Sequence, residues 1–128
     1  MILKEIDGEF SILKVNDLKD FDLNSDFYFI ARTDEELSVV CRTENAPKPK
    51  IKEDGFKAFR IDEVLDFSLI GILAQISKVL SDNKIGIFAV STFNTDYIMV
   101  RKEQFNKASA ALKEAGYEWR SLNECDNL

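Results

Sequence analysis

The sequence predicts an α+β fold, and three observations favour this class. The chain has 128 residues, of which 45% are hydrophobic and 31% charged, as is typical of a folded domain. Its N-terminal part contains short apolar runs with the spacing of strands. Its C-terminal part adds two stretches in which apolar residues recur at helical spacing. We therefore expect strands first, and then strands that alternate with helices.

Three strands are predicted in the N-terminal part, at Phe10–Val15, Phe27–Ala31 and Leu37–Cys41. They are followed by Thr43–Gly55, which holds both prolines of the chain among Lys and Glu residues, a composition typical of an exposed connector. We place a domain boundary in this connector, so that residues 1–50 form a small strand-rich subdomain and residues 51–128 a complete domain.

The C-terminal part opens with a predicted strand, Phe56–Ile61, and a helix from about Leu69 to Asp82. One face of this helix is apolar, which predicts that it packs one side on a sheet. Ile85–Val90 is apolar nearly throughout and predicts a strand in the middle of a sheet.

Turn residues Thr92–Thr95 separate that strand from the next, Asp96–Val100. A second helix is predicted at Glu103–Ala115, and a last strand at Tyr117–Trp119. The order βαββαβ indicates a ferredoxin-like arrangement, with two helices on one face of a four-stranded antiparallel sheet. Residues 1–50 are either a reduced copy of this unit or strands that extend its sheet.

Charge and residue types exclude several classes of function. The net charge of -6 disfavours nucleic acid and anionic membranes as partners. Aromatic residues on the predicted strands are therefore interpreted as core and not as an RNA-stacking platform; they are Phe27, Phe29, Phe56 and Phe59.

The lack of His argues against a zinc site or a His-dependent catalytic triad, and no nucleophile–base pair stands out. We expect neither an enzyme nor a cofactor or metal. Cys41 lies in an apolar run, whereas Cys125 lies in a polar tail, and the N-terminus lacks the apolar core of a signal peptide. These features predict a cytoplasmic protein.

Two motifs carry a family resemblance. In Gly71–Ile87 a Gly, two aliphatic residues and an Ala open the first helix, and the aliphatic pair Ile85 and Ile87 follows it. A Ser-Thr-Phe-Asn-x-Asp turn follows at Ser91–Asp96. Together they resemble the ACT domain family, in the branch of cytosolic arginine sensors and small bacterial tandem-ACT proteins. The resemblance covers about residues 56–117, whereas over residues 1–50 it rests on the reduced first copy of the small tandem members.

The resemblance implies an amino-acid-binding regulatory protein. Its ligand would lie where the loop before the first helix meets a neighbouring ACT unit, in a homodimer that a regulated protein partner recognises. The implied ligand-binding residues are Ser68, Leu69, Ile70, Gly71, Ile72, Thr92, Phe93, Asn94 and Asp96. The alternative is a dimerisation or interaction module that binds no ligand.

General chemistry supports these residues while leaving simpler roles open. Unpaired amides at a helix N-terminus attract an α-carboxylate, and Gly71 allows close approach there, or else close packing of helix on sheet. Asp96 suits an ammonium or guanidinium group, or else closes a turn through an Asx hydrogen bond. The Thr-Phe-Asn turn also suits an ordinary hairpin, and Asp66 and Ser68 suit helix caps.

Overall fold

The computed structural model describes residues 1–48, 51–65 and 70–122. In these ranges the chain forms seven strands, two α-helices and two short 3₁₀ turns. In chain order they are β1 (Ile2–Lys14), β2 (Tyr28–Arg32), β3 (Leu37–Arg42), the turn Thr43–Asn45, β4 (Ile51–Ile61), α1 (Ile72–Asp82), β5 (Phe88–Ser91), β6 (Asp96–Arg101), the turn Lys102–Gln104, α2 (Phe105–Glu114) and β7 (Glu118–Arg120).

The chain divides into two compact units. The first, which we call the C-terminal unit, consists of Met1–Asp7 and Lys57–Leu128. The second, which we call the N-terminal unit, is Gly8–Phe56. The sequence placed the boundary between residues 50 and 51, but β1 and β4 each contribute residues to both units, so the division falls within these two strands.

The strand order in the C-terminal unit is β7-β1-β4-β6-β5. β5 and β6 form an antiparallel hairpin, and β7 runs parallel to β1, with Ile2 opposite Glu118. The sequence predicts four strands here, whereas the structure inserts β1 between β4 and β7. Leu3 of β1 joins the same buried cluster as Trp119 of β7, which gives the inserted strand an apolar anchor.

Both helices cover one face of this sheet, as expected from their apolar stripes. Their buried residues share one hydrophobic cluster with alternate residues of β4 and β6, and alternate residues of a strand point to the same face. The shared residues are Ile76, Leu80, Ala108 and Leu112 from the helices, and Phe59, Ile61, Ile98 and Val100 from the strands.

Helix α1 and strand β5 also differ from the sequence prediction. Helix α1 begins at Ile72, and the predicted start at Leu69 lies outside the described residues. Strand β5 begins at Phe88 instead of Ile85 and stands at the end of the strand order, not in the middle of the sheet. Ile85 is buried because it closes the end of α1, where its amide donates to the Leu80 carbonyl oxygen at 2.9 Å.

In the N-terminal unit the strand order is β2-β3-β1-β4, and β3 pairs antiparallel with both β2 and β1. Its buried cluster contains Leu13, Phe21, Val39 and Cys41. Of the four aromatic residues predicted to be core, Phe56 and Phe59 are buried, whereas Phe27 and Phe29 are only partly buried. The Phe27 ring packs against the rings of Phe10 and Phe29, at centroid distances of 5.2 and 5.4 Å.

Strands β1 and β4 are longer than the sequence predicts. The first half of β1 is rich in charge, and its alternation of buried residues changes phase between Leu3 and Ile6, close to Gly8, whose φ is 101°. The segment 51–55, interpreted as part of a connector, is the first half of β4. Periodicity alone does not reveal strands of this kind.

Candidate functional site

A groove of about 290 Å³ lies in the C-terminal unit, beside the first turn of α1 and the β5–β6 hairpin. Three segments that are far apart in sequence line it. The lining residues are Leu65, then Gly71, Ile72, Leu73 and Ala74, and then Ser91, Thr92, Phe93, Asn94, Thr95 and Asp96.

Gly71 has a left-handed backbone, with φ 80° and ψ 0°, and directly precedes α1. Its carbonyl oxygen accepts the first bond of the helix, from Gln75 N at 2.9 Å. A Cβ atom built on Gly71 would meet nothing within 4 Å, so close packing of helix on sheet does not explain this glycine. The positive φ explains it, because residues with a Cβ rarely adopt that conformation.

The first turn of α1 presents backbone donors to the groove. The amides of Ile72, Leu73 and Ala74 have no acceptor inside the helix, because residues four positions earlier lie outside it. Among the described residues, no side chain caps this helix. Within the ranges that the structure describes, the first turn therefore leaves these three amides without a partner, and together with the positive end of the helix dipole they favour a negatively charged group.

The opposite wall is the β5–β6 hairpin, and Thr92 closes it. The Thr92 amide and the Thr92 hydroxyl both donate to the Thr95 carbonyl oxygen at 2.9 Å. Ser91 lies opposite Asp96 in the antiparallel register. The turn is thus closed without the Asp96 side chain, contrary to the Asx alternative.

Asp96 is partly buried at the start of β6. Its carboxylate forms no hydrogen bond or ion pair within the part of the chain that the structure describes. Among the described residues that line the groove it is the one charged side chain, and none of them is Lys or Arg. The groove therefore has a negative side chain on one wall and helix-terminal amides on another.

The structure brings six of the nine sequence-predicted residues to this groove: Gly71, Ile72, Thr92, Phe93, Asn94 and Asp96. Ile70 is 89% exposed and does not line it. Ser68 and Leu69 lie outside the described residues, as do the suggested caps Asp66 and Ser68. Phe93 stands at the hairpin tip with 80% of its surface exposed.

Sequence reasoning missed five lining residues: Leu65, Leu73, Ala74, Ser91 and Thr95. Leu73 and Ala74 could have been found as neighbours of Ile72 in the first turn of α1. Ser91 and Thr95 could have been found as neighbours of the predicted residues in the hairpin. Leu65 had no signal, because it reaches the groove through a backbone bond from its amide to the Asn94 carbonyl oxygen at 2.7 Å.

A second groove, of about 480 Å³, lies in the N-terminal unit. Its charged lining residues are of both signs, Lys14, Lys19 and Lys48 against Asp17 and Asp20, and they favour no single class of ligand. In the described ranges, no group of three or more Cys, Asp or Glu side chains could hold a metal ion. Neither α1 nor α2 has the length and hydrophobicity needed to cross a bilayer.

Comparison with known proteins assigns a family to this arrangement. The ACT domain model matches residues 51–114, half of the chain, and the protein belongs to the ACT domain family. A second family model, described as an N-terminal domain, matches residues 22–49. None of the curated proteins compared matches the chain. Membership of the ACT family indicates a regulatory role that involves a small ligand.

Two solved structures are similar over most of their length. A crystal structure of an Agobacterium tumefaciens protein is 32% identical, with a TM-score of 0.83, over 93% of this chain and 91% of that chain. A Vibrio cholerae protein of unknown function, described as a possible transport protein, is 23% identical, with a TM-score of 0.70, over 86% and 85%. The second likeness shows the fold alone.

Proposed function

We propose that the protein is a regulatory sensor that binds a free amino acid in the groove between the α1 N-terminus and the β5–β6 hairpin. The single observation that carries this proposal is that the Asp96 carboxylate has no partner among the described residues and lies in a groove that also contains the first turn of α1. An amino acid has one group for each wall. Its ammonium or a cationic side chain suits Asp96, and its carboxylate suits the amides of the helix start.

The size and chemistry of the groove fit such a ligand. Its volume of about 290 Å³ is at the small end of the range for ligand pockets, roughly 300–1,000 Å³, which suits a small ligand. Leu65, Ile72 and Leu73 supply apolar surface to the same lining. Because the described part of the lining has a carboxylate and no basic side chain, we expect Asp and Glu to be rejected in favour of neutral or cationic amino acids.

We propose binding and not catalysis. The lining offers hydroxyl groups at Ser91, Thr92 and Thr95, and among its described residues the one group that could act as a base is the Asp96 carboxylate, which the proposal assigns to the positive group of the ligand. Both Thr92 and Thr95 donate their hydroxyl protons to backbone carbonyl oxygens. The hydroxyl groups of Thr92 and Thr95 therefore stabilise the hairpin.

The family resemblance further suggests that a neighbouring ACT unit completes the ligand site, in a homodimer. The reduced ACT-like copy that the sequence predicts in residues 1–50 stays part of this proposal, as do a cytoplasmic location and a regulated protein partner. Ligand binding would then stabilise one arrangement of the units, and a partner would bind that arrangement with different affinity.

An interaction module without a ligand is the second candidate. Strand β5 favours it, because this strand stands at the end of the strand order and carries no charged residue over Phe88–Ser91. Uncharged strands at a sheet edge are suited to pairing with another chain. This candidate predicts a dimer in sedimentation velocity and no response to any amino acid.

A thermal-shift screen of the twenty amino acids tests the proposal. A ligand at 100 times its Kd stabilises the folded state by about 2.7 kcal/mol, which raises Tm by several degrees. We expect Asp96→Asn to abolish this shift, and Asp34→Asn, which removes an exposed carboxylate from the β2–β3 turn, to retain it. No shift with any amino acid, or an equal shift in Asp96→Asn, would refute the proposal.

A further inference from the structure

The peptide group between Ile61 and Asp62 is hydrogen-bonded on both sides. Its carbonyl oxygen accepts a buried bond from the Thr95 hydroxyl at 2.8 Å. Its amide, on Asp62, donates to the carbonyl oxygen of Ile2 at 2.9 Å. Since both bonds belong to one peptide group, each polarises that group in the sense that strengthens the other. These two hydrogen bonds form one series, which connects the β5–β6 hairpin to strand β1.

Thr95 is fixed at the hairpin end of this series. Its side chain is 7% exposed, and in the described residues only Ser11 and Thr95 are buried polar side chains. Its own carbonyl oxygen accepts the two bonds from Thr92 that close the hairpin. Any displacement of the hairpin must therefore move the Thr95 hydroxyl away from Ile61 or carry the Ile61–Asp62 peptide along.

The other end of the series is held where β1, β4 and β7 meet. The Asp62 carboxylate pairs with Arg60 of β4 and Arg120 of β7, each at 3.2 Å. Glu118 of β7 lies opposite Ile2 of β1 and donates its amide to Met1 O at 3.1 Å. Because two arginines hold Asp62 in place, the hairpin is the part of this hydrogen-bonded series that can move.

We propose that Thr95 is a positioning residue that couples the groove to β1 through the Ile61–Asp62 peptide group. Its role toward a ligand rests on the proposed function: an amino acid that contacts the hairpin would hold Thr95 in place and so strengthen the Asp62–Ile2 bond. β1 continues as far as Lys14, beyond the C-terminal unit. Through this coupling, occupancy of the groove would be felt at β1.

Amide hydrogen exchange measured by NMR on the full chain tests the coupling without a ligand. Thr95→Val keeps the side-chain shape but removes the donor, and we expect the Asp62 amide to exchange on the order of threefold to fivefold faster relative to the Leu112 amide inside α2. Thr95→Ser, which keeps the donor, should restore the wild-type ratio. A general loss of stability would accelerate exchange at both amides equally, and it would not depend on whether residue 95 has a hydroxyl group.

Ser11→Ala removes the other buried hydroxyl, in the N-terminal unit, and should leave the Asp62 to Leu112 ratio unchanged. An unchanged ratio in Thr95→Val, or a ratio that Thr95→Ser does not restore, overturns the coupling. If Thr95→Val does not fold, exchange in Thr95→Ser against wild type decides: a ratio within about twofold of wild type supports the role of the hydroxyl, and a larger change contradicts it.

The ligand step has a separate readout. An amino acid that raises the Tm of wild type should slow Asp62 exchange in wild type and not in Thr95→Val. If such an amino acid leaves Asp62 exchange unaltered, the coupling to the ligand is wrong while the proposed function stands. If no amino acid raises the Tm, the proposed function fails, and the exchange ratios without ligand still decide whether Thr95 controls the Asp62–Ile2 bond.

Discussion

The amide of Leu65 donates a hydrogen bond of 2.7 Å to the carbonyl oxygen of Asn94. This bond joins the segment that follows β4 to the tip of the β5–β6 hairpin, and both residues line the groove. A second bond, from Thr95 to Ile61, fixes the base of the same hairpin. The segment after β4 and the hairpin, which form two sides of the groove, are therefore hydrogen-bonded to each other before any ligand arrives.

Gly71→Ala tests the left-handed start of α1. Because φ is 80° there, a Cβ atom costs about 1 kcal/mol in the free energy of unfolding, measured by urea denaturation. The same change at Gly86, where φ is not positive and a Cβ would also meet nothing within 4 Å, should be close to neutral. Equal effects at the two positions would show that the backbone of Gly71 is not the constraint.

Phe93→Ala separates binding from stability. Since 80% of its surface is exposed, truncation should change the free energy of unfolding by no more than about 0.5 kcal/mol. The ring stands at the rim of the groove, so the Kd of an amino acid measured by calorimetry should rise several-fold. Val64→Ala, at an exposed position that does not line the groove, is the matched control and should leave the Kd unchanged.

The N-terminal unit should show an acid dependence that Ser11 controls. The buried Ser11 hydroxyl donates to Asp54 Oδ1 at 2.6 Å, and this bond is the chief cause of the lowered pKa of Asp54. Thr43 Oγ1 lies 2.8 Å from the Ser11 oxygen, and because that oxygen carries a single proton, Thr43 is the donor of this bond.

A carboxylate whose pKa is lower in the folded state stabilises the fold above its unfolded pKa of about 3.9, and this stabilisation disappears as the pH falls through the folded value. Unfolding free energies measured by urea from about pH 5 downward should therefore fall more steeply in wild type than in Ser11→Ala. Ser109→Ala, which removes an exposed hydroxyl, should follow wild type. Parallel curves for wild type and Ser11→Ala would contradict the assignment.

Cys41 should be unreactive in the folded protein. Burial raises the pKa of its thiol to about 11, so at neutral pH only about one molecule in ten thousand carries the reactive thiolate. In a Cys125→Ser variant, labelling of Cys41 by a thiol reagent should occur only when the core around Val39 and Leu13 opens. Labelling at the rate of a free cysteine would show that this core is not closed.

Much of the C-terminal unit was predictable because its signals are local. The apolar stripe and exit of α1, the turn before β6 and the glycine after α2 depend on residues close together in sequence. The hairpin side of the groove was expected from the family resemblance, which rests on the short motif formed by Asp96 and its turn.

What escaped prediction depends on contacts distant in sequence. The place of β1 between β4 and β7 is decided by strand pairing between residues distant in sequence. The charged first half of β1 lacks the regular alternation of apolar and polar residues that would predict a strand. Leu65 and Thr95 act through backbone carbonyl oxygens of Asn94 and Ile61, which every residue possesses. Residue types therefore contain no signal for these bonds.

The central claim is that the first turn of α1 and Asp96 bind the two ends of one amino acid. Amide NMR spectra recorded during titration with the amino acid that raises the Tm test it most directly. We predict the largest shifts at the amides of Ile72, Leu73 and Ala74 and at Asp96, and their loss in Asp96→Asn. Shifts confined to residues outside the groove, or shifts at the helix start that persist in Asp96→Asn, would contradict the claim.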